Sequence, residues 1–279
     1  MQNYFKHKKK IKIKDKLCIN KAKIFYELFA YNNKLFKNKL LPFGWHWLYF
    51  LENTPLYELG EDGHPRRGNF LPPFKRCKRM FAGTELKFLK NVSLDTFATK
   101  TSEITKIENK SRNNKKLFLV HIKNIFKENK NSFLIENQKI IFVDQDYKAS
   151  KLLKDNNDGY KLVFKKSFTF NNIILFRYSA LTFNSHRIHY DQEYTRKKEG
   201  YKDLLVHGPL LATFALDQFS MNFNSNLRDF SFKMLMPVYV NETVLLKIYK
   251  NLKDEKNFKL TIANKELNTL RLFATCNVV

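Results

Sequence analysis

One stretch, Arg177–Leu210, decides how the rest of the chain is interpreted: it reads RYSALTFNSHRIHYDQEYTRKKEGYKDLLVHGPL. It contains three histidines and ends where Gly208 precedes a largely apolar run, Leu210–Leu216. Such a run after a glycine and a proline predicts a buried helix. The segment from Asn184 to His189 has no amphipathic period. We therefore expect a loop whose polar side chains face the start of a helix.

The start of this predicted helix suits a reaction in which negative charge builds on a carbonyl oxygen. The first N–H groups of a helix have no internal partner, and the helix dipole favours an oxyanion at that end. Gly208 lets a ligand approach the backbone, and Pro209 fits the first helical position because it has no N–H to leave unpaired. A nearby imidazole, such as that of His189, exchanges protons at neutral pH.

The run Ser179–Asp191, SALTFNSHRIHYD, carries a resemblance to a known family. It resembles the hydratase motif of the MaoC-like, (R)-specific enoyl-thioester hydratases, which reads acid, variable residue, Asn, Pro, aliphatic residue, His. Asn184 takes the place of the acid and His189 that of the catalytic His. The positions between them are taken by His186 for Asn, Arg187 for Pro and Ile188 for the aliphatic residue. The two-domain branch, the 3-hydroxyacyl-thioester dehydratases type 2 and the mesaconyl- or itaconyl-CoA hydratases, tends to read S-A-L-T-F-N-x-H-R-I-H-Y-D, which this run matches.

The first half of the chain resembles the N-terminal domain of the same hydratases. The similar segments are Trp45–Phe50, Leu59–Gly68, Phe70–Pro73 and Arg79–Gly83. The resemblance implies an α+β fold, the double hot-dog, in which two antiparallel sheets each wrap around a central helix. It also implies an N-terminal hot-dog domain over residues 1–153, which contacts substrate without catalysing, and a C-terminal MaoC-like domain over residues 160–279, which carries the motif.

Local patterns agree with this organisation. The polar break KDNNDG, residues 154–159, is typical of a linker. Residues 16–31 fit an amphipathic helix that begins the first domain, residues 100–116 look polar and turn-rich, and the alternating aromatic residues of Trp45–Phe50 predict a buried strand. Further strands are predicted at Leu117–Phe126, Phe133–Val143, Phe232–Tyr239, Thr243–Tyr249, Lys259–Ala263 and Thr269–Val278. No repeat of fixed period is visible, so the duplication follows from the resemblance.

The resemblance implies a catalytic set of three residues. His189 would move the proton and the N–H of Gly208 would polarise the thioester carbonyl. Asn184 has no titration near neutral pH, so it would orient the water or the thioester. The residues expected to contact substrate are His186, Arg187, His207, Arg66 and Arg67.

A metal site is not expected from the sequence. His186 and His189 stand three residues apart, but a third ligand at a suitable spacing is missing. Asp191 either orients an imidazole or is simply exposed. The reaction that the resemblance implies requires no metal and no cofactor.

The formal net charge of +25 raises the question of nucleic-acid binding. Lysine is spread over the whole chain, and no zinc-finger spacing, aromatic RNA-binding signature or basic-region heptad accompanies it. We therefore expect no nucleic-acid partner. A positive surface would still attract the phosphates of coenzyme A.

Cysteine usage and hydropathy restrict the compartment. The three cysteines are far apart and form no C-x-x-C pair, which favours a reducing environment. No run of 18 or more apolar residues exists, so we expect no membrane span. The Lys-rich N-terminus lacks the apolar core of a secretory signal. The cytoplasm is the expected location, with the mitochondrial matrix as the alternative.

The expected function is reversible hydration of a 2-enoyl thioester, or dehydration of a 3-hydroxyacyl thioester, carried by coenzyme A or acyl carrier protein. The DGHPRRG segment, residues 62–68, looks most like the mesaconyl- and itaconyl-CoA hydratases. One alternative is a mitochondrial-type 3-hydroxyacyl-ACP dehydratase. Another is a non-catalytic acyl-thioester binding protein, because the acid is lost at Asn184. Members of the resembled family often pair hot-dog units, so the two domains of this chain are expected to pair with each other, and a homodimer is compatible with that pairing.

Overall fold

The computed structural model describes residues 10–29, 39–113, 115–144, 147, 157–223 and 226–279. Within them, ten strands form one antiparallel sheet in the order β1-β3-β4-β5-β2-β7-β10-β9-β8-β6. The strands are β1 (Lys10–Lys16), β2 (Cys77–Phe88), β3 (Phe97–Asn109), β4 (Leu117–Glu128), β5 (Asn131–Asp144), β6 (Tyr160–Thr169), β7 (Leu227–Met234), β8 (Thr243–Asn251), β9 (Asn257–Asn264) and β10 (Leu270–Val278). The helices are α1 (Ile19–Tyr26), α2 (Asn172–Leu181), α3 (Gln192–Lys197) and α4 (Gly208–Asn222), with short 3₁₀ turns at Trp45–Leu48, Leu56–Glu58 and Arg187–His189.

The strand order is symmetrical about the contact between β2 and β7. Each half begins with an outer strand and continues through a helical segment to a central strand, β2 or β7. Its last three strands then lie side by side between the outer strand and the central one. The topology therefore reveals an internal duplication that has no visible sequence repeat. The expectation of two separate sheets needs correction, since backbone pairing of Gly83–Lys87 with Asp229–Lys233 joins both halves into one sheet.

Gly83 makes this junction possible. Its φ is +144°, it lies at a bulge in β2, and a Cβ atom there would overlap the carbonyl oxygen of Phe232. Positive φ and such close backbone approach are both typical of glycine. The two halves are therefore held at a distance that no larger residue allows.

Helix α4 is the core of the C-terminal half. Every residue from Leu210 to Phe219 is buried, as expected of a helix that is enclosed on all sides. The helix begins at Gly208, so Pro209 occupies its second position and not its first. Asp217, deep in this helix, accepts a hydrogen bond of 2.7 Å from Nε1 of Trp45 and so ties the N-terminal half to the helix.

Five of the predicted strands are confirmed, namely those that lie within β4, β5, β8, β9 and β10. The prediction for Phe232–Tyr239 is displaced, because β7 starts at Leu227 and ends at Met234, before Pro237. The strand predicted for Trp45–Phe50 is wrong. Gly44 has φ +84° and starts a 3₁₀ turn there, although Trp45 is buried as expected.

Two further predictions concern the N-terminal half. Residues 100–116 were expected to be polar and turn-rich, but β3 extends to Asn109 because it pairs with β1 on one side and β4 on the other. The helix predicted within residues 16–31 is present as α1. Of the predicted linker, residues 154–156 lie outside the described residues, and residues 157–159 turn into β6. Among the described helices, none has the length and hydropathy needed to cross a membrane.

Candidate active site

An open cleft of about 1460 Å³ lies between the two halves. Its N-terminal wall includes residues 49–59 and 63–67 and the start of β2. Its C-terminal wall is formed by residues 182–186, 188–190, 205–209 and 234–237. Of the residues predicted to act at the site, Asn184, His186, His189, His207, Gly208, Arg66 and Arg67 all border this cleft.

His189 is buried at the end of a 3₁₀ turn, and its ring is held in one orientation. Its Nδ1 donates a hydrogen bond of 2.8 Å to the carbonyl oxygen of Leu205. Since a carbonyl can only accept, we assign the ring proton to Nδ1, which leaves the lone pair on Nε2. Burial lowers the pKa of His189 to about 4. At neutral pH the ring is therefore uncharged and Nε2 is able to accept a proton.

His207 packs its ring against the ring of His189. The two rings stack with their centroids 3.6 Å apart, and Nε2 of His207 lies 2.8 Å from Oγ of Ser179. His207 is only 1% exposed, and burial followed by the proximity of His189 lowers its pKa well below the usual value. The stack fixes the plane of the His189 ring, and His207 itself borders the cleft, so its contact with substrate stays a prediction.

Asn184 shapes the loop that carries the histidines. Its Oδ1 accepts a hydrogen bond of 3.0 Å from the backbone N–H of His186, the pattern of an Asx turn. The oxygen that replaces the motif's carboxylate is thus engaged in local structure. The NH₂ group is the part of Asn184 best suited to meet a ligand.

The loop of residues 59–68 from the N-terminal half docks directly on this motif loop. Gly63 has φ +84°, and a Cβ atom there would overlap the carbonyl oxygen of Ser185. The hydroxyl of Ser185 donates a hydrogen bond to the backbone carbonyl of Gly63. The backbone N–H of Arg187 donates one of 3.0 Å to the backbone carbonyl of Asp62. The DGHPRRG segment is therefore a wall of the site and not a distant feature.

This docking brings a fourth histidine to the site. The ring of His64 lies 4.0 Å from that of His186, which lies 5.4 Å from that of His189. Nδ1 of His64 lies 3.3 Å from Oδ2 of Asp62. Burial and then the charge of Arg79 lower the pKa of His64 to about 4, against the raising influence of Asp62. Sequence reasoning missed this pair because 122 residues separate His64 from His186; the DGHP motif was the available signal.

Asp62, His64 and His186 also form a group whose donor atoms lie within 4.8 Å of one another, close enough to be considered for a metal ion. The third ligand that the sequence spacing lacked is thus available in space. However, Arg67 lies 3.8 Å from the Asp62 carboxylate, and Arg79 is close enough to lower the pKa of both histidines. Two guanidinium groups oppose a divalent cation, so the donor set does not fit a metal well.

The three predicted substrate-binding arginines have structural partners. Arg187 donates twice to Oδ2 of Asp191 and lies over the ring of Tyr194, and it is not among the described residues that line the cleft. Arg66 and Arg67 border the cleft but donate to backbone carbonyl groups. Asp191 orients no imidazole: it pairs with Arg187 and caps α3.

Two other cations line the cleft, and sequence reasoning did not single them out. Arg79 on β2 and Lys100 on β3 are both half-buried there. Burial lowers the pKa of each, although nearby Glu52 partly opposes this. Lys100 donates to the carbonyl of Phe50 at 3.1 Å. These two side chains are cations available to a ligand in the cleft, where they lie near the carboxylate of Glu52.

The start of α4 faces an apolar surface. A Cβ atom at Gly208 would lie 3.1 Å from Phe81 and 3.5 Å from Met234. Gly208, Phe81 and Met234 all border the cleft, so a hydrogen bond from the first N–H of the helix to a thioester oxygen would form in apolar surroundings, which strengthen it.

Sequence comparison places this geometry among known proteins. The family model described as hydroxyacyl-thioester dehydratase type 2 matches residues 44–240. The mesaconyl-C(4)-CoA hydratase of Chloroflexus aurantiacus is 33% identical over 199 residues, which is 71% of each chain. The mitochondrial hydroxyacyl-thioester dehydratase type 2 of Schizosaccharomyces pombe is 28% identical over 230 residues, covering 71% of this chain and 74% of that one.

Solved structures share the fold at low sequence identity. A MaoC-like dehydratase from Phytophthora capsici superimposes with a TM-score of 0.72 at 11% identity, over 98% of this chain and 95% of that one. A Mycobacterium tuberculosis protein described as a double hot-dog fold gives 0.61 at 10% identity, over 98% and 96%. The α+β hot-dog architecture expected from the sequence is thereby confirmed.

Proposed function

The chain belongs to the hydroxyacyl-thioester dehydratase type 2 family and is a hydro-lyase of enoyl and 3-hydroxyacyl thioesters; we propose that His189 is its proton-transfer residue and that a short dicarboxylic enoyl-CoA is its substrate. The observation that carries the first proposal is the fixed ring of His189. With its Nδ1 bound to Leu205, the ring borders the cleft and stacks on His207, the residue that precedes α4.

The reaction requires one proton to move and one C–O bond to form. The oxygen of water bonds to C3 of the enoyl group while Nε2 of His189 accepts a proton from that water. The electron pair of the double bond moves toward C2 and the thioester oxygen, where the N–H of Gly208 stabilises the charge. His189 then returns the proton to C2, and the same steps in reverse give dehydration.

The substrate proposal rests on charge within the cleft. A dicarboxylic acyl group brings a free carboxylate, and Arg79 and Lys100 are cations that border the cleft. A guanidinium binds a carboxylate through two parallel hydrogen bonds, so Arg79 is the better candidate. The C. aurantiacus relative is named for a mesaconyl-CoA substrate, which agrees with this choice.

A second candidate substrate has some support. The S. pombe relative is named a hydroxyacyl-thioester dehydratase of mitochondria, and a long acyl chain needs an apolar surface. Leu56, Tyr57, Phe176 and Phe183 are exposed apolar side chains that border the cleft. A carrier-protein thioester is therefore the alternative, with the mitochondrial matrix as its compartment in place of the proposed cytoplasm.

The test is a panel of CoA thioesters, crotonyl, mesaconyl, itaconyl and a medium-chain enoyl, followed by the loss of enoyl absorbance. We expect kcat/KM to be highest for mesaconyl- or itaconyl-CoA and to fall at least tenfold for these two in Arg79→Met, with crotonyl-CoA little affected. A preference for crotonyl- or medium-chain CoA would refute the dicarboxylate proposal. Tight binding of the whole panel without turnover would favour an acyl-thioester binding protein instead.

A further inference from the structure

We propose that His64, positioned by Asp62, is the second residue that binds the reacting water, in place of the carboxylate that the hydratase motif has where this chain has Asn184. The inference rests on the proposed hydration reaction. It also changes the part expected of the N-terminal half, which would supply a catalytic residue as well as substrate contacts.

The placement of the two residues carries the proposal. His64 borders the cleft beside His186, whereas Asp62 lies behind it, on a small neighbouring pocket with Arg67 and Glu199. Because a carboxylate can only accept, Nδ1 of His64 donates to Oδ2 of Asp62 and the lone pair is on Nε2. The arrangement repeats that of His189, whose Nδ1 is likewise bound and whose Nε2 is the acceptor.

The motif loop leaves this role unfilled. In the MaoC-like hydratase motif, an acid and a histidine five residues apart hold the water between them. Here the amide of Asn184 cannot take up a proton, and its Oδ1 is engaged by the N–H of His186. Water addition by His189 alone would leave the second hydrogen of the water without an acceptor. Nε2 of His64 provides that acceptor, while His189 takes the proton and returns it to C2.

Charges around the pair explain why Asp62 is needed. His64 faces Arg79 from β2, Arg67 from its own loop, and the neutral rings of His186 and His189. The two guanidinium groups oppose the partial positive charge that His64 gains when its Nε2 accepts a hydrogen bond from the water. Burial alone would raise the pKa of Asp62, but His64 and Arg67 outweigh it and lower that pKa, so Asp62 remains ionised. Its negative charge balances the imidazolium that forms when His189 accepts the proton.

The test compares Asp62→Asn and His64→Ala with the control Glu61→Gln. Asparagine keeps the Oδ1 that accepts the backbone N–H of His64 at 3.0 Å, so the turn of the loop is retained. Its NH₂ group replaces Oδ2, which removes both the charge and the acceptor for Nδ1 of His64. Glu61 is the exposed neighbour, with an ion pair of 3.8 Å to Lys198. We expect kcat to fall about 100-fold or more in His64→Ala and at least tenfold in Asp62→Asn, while KM stays within threefold in both. In Glu61→Gln, kcat and KM should match those of the unmodified protein.

Two readouts separate this role from a structural one. Asn184→Asp, added to His64→Ala, introduces the acid of the MaoC-like hydratase motif and is expected to recover at least tenfold of the lost kcat. In Asp62→Asn the acid limb of the kcat/KM profile is expected to move to lower pH, because Asp62 raises the pKa of His64 and its removal lets that pKa fall.

Three outcomes would overturn the inference. The first is kcat within twofold of the unmodified protein in both variants while His189→Ala is inactive. The second is a failure of Asn184→Asp to rescue His64→Ala when circular dichroism and thermal unfolding show both proteins folded. The third is a stoichiometric metal, detected by mass spectrometry, that is lost in His64→Ala. A lack of turnover by the unmodified protein on every thioester refutes the proposed function itself, which is a distinguishable result.

Discussion

The two halves of the sheet have the same strand order but differ in the helical segment that each encloses. In the C-terminal half, α4 is fifteen residues long and is buried from Leu210 to Phe219. In the N-terminal half, α1 has eight residues, of which Ala22, Phe25 and Tyr26 are buried. A long central helix presents its first turn to the cleft, and the histidine motif lies in the chain just before it. The half with the short helix contributes a loop to the site.

The two halves also differ in where they place a buried carboxyl group. In the C-terminal half, Glu242 pairs with Arg271 at 2.7 Å, and neither is among the described residues that line the cleft. In the N-terminal half, the buried carboxyl of Glu136 accepts hydrogen bonds from Trp47 and Asn124, and all three residues border the cleft. One half therefore carries the proposed proton-transfer histidine, and the other contributes a buried polar group to the cleft wall. A duplicated fold can divide a site in this way while both halves keep their topology.

The largest difference between the halves should follow from single histidine substitutions. In the C-terminal half, His189→Ala removes the proposed proton acceptor, and we expect a loss of 10²–10⁴-fold in kcat. In the N-terminal half, His121→Ala alters a partly exposed residue that pairs with Glu108 on the sheet surface, and kcat should be unchanged. Steady-state hydration kinetics with both variants measure this. Equal losses in the two variants would mean that the chemistry is not centred on His189.

Docking of the N-terminal loop on the motif loop is tested by Gly63→Ala. The new Cβ would overlap the carbonyl of Ser185, so the loop must move, and we expect at least a tenfold loss of kcat/KM with a lowered unfolding temperature. Gly159→Ala is a matched control, because Gly159 has φ +76° with nothing within 4 Å of a new Cβ. Gly159→Ala should lower the free energy of unfolding by about 1–2 kcal/mol, the strain of an alanine at positive φ, and leave the kinetic constants unchanged. Equal kinetics in the two variants would show that the loop contact is irrelevant to activity.

Acid should destabilise both halves through their buried histidines. Burial lowers the pKa of His46 in the N-terminal half to about 3 and that of His189 in the C-terminal half to about 4. The unfolded chain binds these protons near pH 6.5, so the neutral folded forms add stability above that pH. This stability is lost as pH falls from about 6.5 toward 4, by roughly 3 kcal/mol per histidine.

Urea unfolding at pH 7.5, 6, 5 and 4.5 measures this loss, with His46→Gln and His189→Gln as separate probes of the two halves. Each variant is expected to flatten the dependence of unfolding free energy on pH. An unfolding free energy that rises as pH falls through this window would contradict the assignment of neutral buried rings.

The smallest effect is expected for Asn184→Asp. Aspartate keeps an oxygen for the backbone N–H of His186, so the Asx turn survives, and the acid of the MaoC-like hydratase motif is introduced in the cleft. We expect kcat to stay within fivefold of the unmodified protein, in either direction, and the pKa of the neighbouring histidines to rise. The pH profile of kcat/KM is the measurement. Complete loss of activity would mean that the amide has a function that no carboxylate can perform.

Local sequence patterns predicted the C-terminal half better than the N-terminal half. The apolar run after Gly208 and the alternation in β8 and β10 are decided by nearby residues, so the pattern is sufficient. Trp45–Phe50 looked like a strand because its aromatic residues alternate, but Gly44 in a left-handed conformation turns the chain there. Such a turn depends on packing against α4, which a local pattern does not contain.

The site shows the same division. Asn184, His189 and Gly208 were found because the motif and the helix start are close in the chain. Asp62 and His64 reach His186 only through the docking of Gly63 on Ser185, a contact across 122 residues. No spacing rule predicts such a contact. The motif DGHP indicated the loop, but only the fold shows which histidines it meets.

The pairing of β2 with β7 has a consequence for producing parts of this protein. A fragment of either half would expose the edge of one of these strands, and bare strand edges promote aggregation. We therefore expect each half to be insoluble when it is expressed alone. When the two halves are co-expressed, we expect them to assemble into a soluble complex. Split between β5 and β6, the chain would then behave as a complementation pair whose reassembly is reported by its own hydratase activity.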